Sequence, residues 1–184
     1  MYTVTERKRE IQFIDGTDNL LRQMETKMNV GELAEKLVSW IRERVLASEC
    51  KGVVLGMSGG VDSSVVAVLC QQAFSQNMLG VLMPCYSSRE DEEHALAVAN
   101  KFSIPTKTVV LDSVFDTLLK VLPNDSVDPA TSRLAKANLK VRLRMLTLYY
   151  FANQLKYMVV GAGNIYPAIP ILGKVAYGKL APIT

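Results

Sequence analysis

Residues 53–69, VVLGMSGGVDSSVVAVL, pass from an apolar run through a turn crowded with glycine and serine into a second apolar run with helical spacing. That is the outline of a strand entering a tight loop and leaving it as a helix. Gly56, Gly59 and Gly60, with the hydroxyls of Ser58, Ser63 and Ser64, fall within nine positions of the junction. Glycine lets a backbone take positive φ and come close to a ligand. The N–H groups of the turn and of the helix's first turn converge on an anion, whose charge the helix dipole favours. The junction reads as a phosphate cradle.

It is neither of the two common cradles. A GxxxxGK[ST] loop needs a lysine, and none occurs between residues 52 and 100; a GxGxxG fingerprint is absent from GMSGGVDS. Asp62 is the unusual residue, because a carboxylate beside a phosphate is repulsive unless a cation lies between them. Magnesium would resolve the conflict, being bound by one or two carboxylates together with phosphate oxygens. Asp62 is equally well explained as a charge that favours the start of the helix, and the residues alone leave both readings open.

Outward from the loop, the sequence alternates. Apolar runs GVVLGM (52–57), MLGVLMP (78–84), TKTVVLD (106–112) and YMVVGAG (157–163) read as strands. Helical patterns occupy about 62–76, 90–102, 113–122 and 133–155. Ahead of them, Val30, Leu33, Leu37, Ile41 and Val45 predict an amphipathic helix over 30–47. Residues 1–28 are poorly patterned and read as an arm or short helix. Strands apolar on both faces, alternating with helices, predict an α/β three-layer sandwich with a parallel, doubly wound, Rossmann-like sheet. The glycine loop would lie at the carboxyl edge of that sheet, where such folds bind ligands.

The composition narrows the partners. At 184 residues and 49% hydrophobic, a single domain spanning 1–184 is expected. The net charge of +3 and the scattered basic residues argue against nucleic acid as a partner. No stretch approaches the roughly 18 to 20 apolar residues of a membrane helix. Cys50, Cys70 and Cys85 are odd in number and lack CxxC spacing. They read as free thiols of a reducing compartment, so a cytoplasmic location is expected.

SGGVDSS after an apolar strand resembles the pyrophosphate loop of the N-type ATP pyrophosphatases, in the adenine nucleotide alpha hydrolase-like superfamily. GVLMPCYSSREDEEHA, NLKVRLRMLTLYYFANQ and YMVVGAGN extend the likeness over residues 30–164 and are similar to the ammonia-dependent NAD synthetases. The resemblance implies that ATP is carried by Gly56, Met57, Ser58, Gly59, Gly60, Val61, Asp62 and Ser63, with the backbone at Met83 meeting adenine. It implies magnesium on Asp62, deamido-NAD on Arg142, and a homodimer. The implied reaction is attack of the nicotinate carboxylate of deamido-NAD on ATP with release of pyrophosphate, then displacement of AMP by ammonia. No nucleophilic side chain is required, because such chemistry rests on positioning and charge neutralisation.

Arg142 and Arg144 are separated by their place on the helix. At about 100° per residue, positions two apart point roughly 200° away from each other and cannot serve one anion. Arg144 continues a four-residue spacing from Lys136 and Lys140 and reads as part of a solvated basic stripe. Arg142 follows Asn138 by four, beside the apolar positions Val141, Met145, Leu148 and Ala152. His94 and the acidic run from Glu90 to Glu93 read as a solvated helix start whose charges favour the dipole. Tyr149 and Tyr150 follow core spacing.

After Asn164 the resemblance ends. The family continues with a threonine-bearing turn, a metal-binding glutamate and a loop carrying lysine and aspartate. This sequence reads GAGNIYPAIPILGKVAYGKLAPIT, with Ala162 in place of the threonine and no acidic residue after Asp128. Three readings arise: a degenerate relative, a shortened chain, or a sequence joined across missing loops. The abruptness of YPAIPILGKVAYGK favours the third, so the functional polypeptide is expected to carry further residues near 164–180 and beyond Thr184. The competing functions are an inactive nucleotide-binding or dimer-forming relative, and an enzyme amidating or thiolating another acid. The latter is not expected to share NLKVRLRM.

Overall fold

The fold is that of a computed structural model, which describes residues 29–123 and 128–161. The arm at 1–28 and the tail from Ala162, with the expectations resting on them, lie outside the described residues. The chain divides into two compact units, Met1–Lys36 and Leu37–Thr184. Of the first, residues 29–36 are described, and they contain the start of helix α1 (Val30–Ala47).

After α1 the elements alternate: β1 (Gly52–Gly56), α2 (Val61–Ala73), β2 (Met78–Leu82), α3 (Arg89–Lys101), β3 (Thr106–Thr108), α4 (Asp112–Val121), α5 (Pro129–Leu155) and β4 (Tyr157–Val160). Among the described residues the strands form one parallel sheet in the order β3-β2-β1-β4. The chain winds from β1 outward to β3, then crosses back through α4 and α5 to place β4 on the other side of β1. This reversal makes the sheet doubly wound, with the switch point at β1.

Side chains of β1 alternate between two cores, as a period of two requires. Val53, Leu55 and Met57 join Ile41 and Val45 of α1, Ala67 and Cys70 of α2, and Ala95 and Ala99 of α3. Val54 faces the other way, with Leu79, Val81 and Met83, against Phe115 of α4 and Leu143, Leu148, Phe151 and Ala152 of α5. Helices therefore cover both faces, and the architecture is the three-layer α/β/α arrangement expected from the apolar strands. Gly52 permits the start of β1, because a Cβ there would lie 2.0 Å from the Asn77 carbonyl oxygen.

Two boundaries differ from expectation for identifiable reasons. The run predicted as a strand over 106–112 is a strand only over Thr106–Thr108. Beyond it the Val109 and Leu111 N–H groups still donate to the Leu82 and Pro84 carbonyls, both at 2.8 Å. The return bond would have to come from residue 84, and proline has no N–H, so the ladder stops. Helix α5 starts at Pro129 rather than near 133. The Asp128 carboxylate accepts from the N–H groups of Ala130 (2.9 Å) and Thr131 (3.1 Å), and proline suits the first helical position. The Thr131 side chain, ahead of these N–H bonds, holds the Asp128 carboxyl below its ordinary range.

Leu55 is 1% exposed at the centre of the sheet. Leu55→Ala is expected to lower stability by about 2–5 kcal/mol, the range for a buried leucine truncated without full collapse of the site, read as a shift in the urea unfolding midpoint.

Candidate functional site

Beyond the carboxyl end of β1, the chain from Met57 to Gly60 turns into α2 without a side-chain cap: Gly60, at φ −73° and ψ 157°, holds the N-cap position. The N–H groups of the helix's first turn are thus left to whatever occupies the turn. The turn is braced by its own hydroxyls. The Gly60 N–H donates to Ser58 Oγ (3.4 Å), the Ser58 and Ser63 hydroxyls lie 2.9 Å apart, and Ser63 Oγ donates to the Gly60 carbonyl at 2.9 Å. Because the Ser63 proton is used on that carbonyl, Ser58 supplies the proton between the two hydroxyls, and the ring closes. Ser64 Oγ adds a further bond to the Gly60 carbonyl at 2.9 Å.

Gly59 sits at φ +80°, and a Cβ there would lie 2.2 Å from the carbonyl oxygen of Asp91 in the first turn of α3. Conformation and space both require glycine. The loop is therefore packed backbone to backbone against the start of α3, which Ser88 caps by accepting from the Asp91 N–H at 3.2 Å.

Beside this loop opens a cleft of about 650 Å³. Gly56, Met57 and Ser58 line it from β1, Met83, Pro84 and Ser87 from the end of β2, and Asp91 and Glu92 from α3. Helix α5 closes it with Val141, Arg144, Met145 and Leu148. Its volume lies in the ordinary range for small-molecule sites, with apolar walls and a few polar groups. Of the residues expected at the site, Gly56, Met57, Ser58 and Met83 line the cleft. Gly59, Gly60, Val61, Asp62 and Ser63 continue from it through the turn into α2, with Asp62 exposed.

The two arginines do diverge around α5, but the cleft takes Arg144. Its Nε–H donates to the Met83 carbonyl (3.1 Å) and its Nη2–H to Ser87 Oγ (3.2 Å), and the side chain is half-buried. The solvated basic stripe is thereby corrected. Val141, Arg144, Met145 and Leu148 stand at i, i+3, i+4 and i+7, so the apolar stripe assigned to the flank of Arg142 contains Arg144 instead. Lys140 is not simply solvated either, since its Nζ lies 5.1 Å from the centroid of the Tyr86 ring. Arg142 is exposed and does not line the cleft; its Nη1 donates to the Asn138 carbonyl (3.3 Å) and Oδ1 (3.2 Å) one turn earlier.

The acidic start of α3, read from sequence as a dipole effect alone, contributes Asp91 and Glu92 to the cleft wall. His94 is exposed, as expected. Cys50, Cys70 and Cys85 are free thiols; burial pushes the Cys70 thiol up to about 12, and raises that of Cys85 against the opposing pull of Lys140 and Arg144.

Gly59→Ala is expected to lower the melting temperature clearly more than Gly60→Ala. At Gly60 φ is negative, and the nearest atom to an added Cβ is the Ser58 hydroxyl at 3.5 Å. Parallel thermal denaturation of the two variants checks it, and equal losses would contradict the packing described.

The family model for NAD synthase matches residues 33–173. An NH3-dependent NAD+ synthetase of Carboxydothermus hydrogenoformans is 45% identical over 138 residues, covering 75% of this chain and 56% of that protein. Among solved structures, an NH3-dependent NAD synthetase of Campylobacter jejuni aligns with a TM-score of 0.67 at 32% identity, over 74% of this chain and 58% of the other. An NMN synthetase of Francisella tularensis also aligns with a TM-score of 0.67, at 25% identity, over 75% and 56% of the two chains. The chain thus spans little more than half the length of the curated relatives it matches. A family model covering most of the chain, on a doubly wound sheet whose glycine loop opens onto an apolar cleft, establishes that this chain belongs to the NAD synthase family.

Proposed function

We propose that this chain is the ATP-using core of an NAD synthetase. It adenylates the nicotinate carboxylate of deamido-NAD with release of pyrophosphate, and then transfers the acyl group to ammonia to give NAD and AMP. The observation that carries the reading is the uncapped start of α2 beside an apolar cleft. The first turn of α2, next to the hydroxyl-braced glycine turn, offers N–H groups to an anion, and Met57, Met83, Met145 and Leu148 offer apolar surface to a flat base. Adenine lies against the end of β2 at Met83, and the phosphates lie on Gly56 to Ser63.

The chain's own residues mainly position and neutralise. The loop N–H groups hold the leaving pyrophosphate where its charge develops, and they are already oriented by the ring through Ser58 and Ser63. Arg144 holds the wall at Met83 and adds a fixed positive charge. Arg142, exposed one face away, takes an anionic group of deamido-NAD. Asp62 fits a magnesium ion: it is an exposed carboxylate in the first turn of α2, and such an ion takes one carboxylate with phosphate oxygens and water. Bound there, it would neutralise phosphate charge.

We also propose a homodimer acting in the cytoplasm. Leu146 and Tyr150, one turn apart on α5, are 70% and 61% exposed, an apolar face suited to a second copy. No helix among the described residues is long and apolar enough to cross a membrane, and the free thiols suit a reducing compartment.

The direct test is ATP-dependent AMP formation on adding deamido-NAD and an ammonium salt. AMP formed only with the corresponding mononucleotide acid would redirect the substrate assignment, and no AMP with either would overturn the reading. Asp62→Asn keeps the size and a polar oxygen of this first-turn side chain but loses its charge. It is expected to abolish AMP formation with an unchanged circular dichroism spectrum. Arg142→Ala is expected to weaken deamido-NAD by about 1.5–3 kcal/mol, as for a hydrogen bond to a charged group. Arg144→Ala is expected to raise the KM for ATP instead. Steady-state kinetics in both substrates separates the two, and identical profiles would refute the division of roles.

A further inference from the structure

The turn between β2 and α3 contains one residue in an unusual conformation. Tyr86 sits at φ +53°, in the left-handed region that bulky residues rarely enter unless their surroundings hold them there. Its surroundings do hold it. The Tyr86 N–H donates to Asp112 Oδ1 at 2.7 Å, and its phenol donates to Asp116 Oδ2 at 2.6 Å. Both are short, as charge-assisted bonds are. The ring packs edge-on against Phe115, with centroids 6.0 Å apart and an interplanar angle of 70°. Lys140 Nζ lies 5.1 Å from the Tyr86 centroid and 5.2 Å from that of Phe115. Asp112 and Asp116 stand one turn apart on α4, a spacing at which like charges repel, and Tyr86 draws on both.

Ser87, the next residue after Tyr86, lines the cleft, while Cys85 before it is buried in the core. Ser87 Oγ accepts from the Cys85 N–H (3.3 Å) and from Arg144, which also binds the Met83 carbonyl. The turn is thus gripped from α4 on its outer side and from α5 on its inner side. We propose that Tyr86 is a positioning residue for ATP: the hold of Asp112 and Asp116 keeps the turn left-handed, and this sets Met83 and Ser87 against Arg144 and so the shape of the cleft wall. The inference rests on the nucleotide reading of the cleft given above.

The hydrogen bond to Asp116, ahead of burial and of the nearby carboxylates, pushes the Tyr86 phenol up to about 12. A raised value means that the bond's contribution is complete below the phenol's ordinary range and is lost only as pH rises through the raised one. The phenol therefore keeps its donor proton through neutral and mildly basic pH.

The test is Tyr86→Phe in the full chain, which keeps the ring packing and removes only the phenol bond. The KM for ATP is expected to rise about three- to tenfold with kcat nearly unchanged, and the KM for deamido-NAD to stay as it is. Ser87→Ala is expected to raise the ATP KM as well, and the double variant to fall short of the product of the single effects, because both act on one contact with Arg144. An unchanged ATP KM, a loss confined to kcat, or fully multiplicative effects would each overturn the proposal. If the phenylalanine variant does not fold, Asp116→Asn reads the same bond with a neutral acceptor and must raise the ATP KM for the proposal to stand. Calorimetric titration of ATP into the wild-type chain separates the two levels of inference. No binding by the wild type overturns the nucleotide reading and this inference with it, whereas wild-type binding matched by Tyr86→Phe overturns the positioning role alone.

Discussion

The rest of the molecule depends on where β1 lies. It is hydrogen-bonded on both sides to parallel strands, β2 and β4, and covered by helices on both faces, so Val53, Val54 and Leu55 are at most 1% exposed. A strand so enclosed can meet solvent only at its ends. Its carboxyl end lies where the chain's winding reverses: α2 and α3 carry the chain outward to β2 and β3, and α4 and α5 bring it back to β4 on the other side. The cleft is the space this reversal opens, and the glycine loop is the piece of chain that must cross it.

Crossing it imposes a conflict that the loop resolves locally. The backbone has to expose its N–H groups to be useful and yet remain ordered without a bound partner. Side-chain capping would order the start of α2 by consuming those donors. The ring through Ser58, Ser63 and Gly60 orders the turn mainly through hydroxyls and a carbonyl, leaving the first-turn N–H groups of α2 without a side-chain cap. Preorganisation and availability are thus obtained together.

Most of the fold was legible because its causes are local and periodic. The apolar runs and the 3.6-residue patterns name the strands and helices, and the glycine-serine turn names the loop. What was misread depends on partners distant in sequence. The valines after Thr108 look like strand, but the absent N–H of Pro84, just beyond the neighbouring strand, ends the ladder. Arg144 carries the four-residue spacing of a surface stripe from Lys136, and only the packing of α5 against the end of β2 turns it inward, 61 positions from the carbonyl it binds. The carboxylates of Asp91 and Glu92 suffice to explain a helix start, so nothing local announces that they also border a cleft. The start of α5 is the local exception: Asp128-Pro129 carries the cap, four residues ahead of the hydrophobic pattern.

The approach of Gly59 to α3 has an evolutionary side. The contact is made to the carbonyl oxygen of Asp91 and not to its carboxylate, so it constrains where the α3 main chain runs and leaves the side chain at position 91 untouched by that requirement. Sequence drift at the two ends of the contact is therefore asymmetric. Position 59 tolerates one residue type, while position 91 is free to exchange side chains as the cleft's ligand demands, provided the helix begins at the same place. A lineage can in this way retune the wall of the cleft without disturbing the loop beside it.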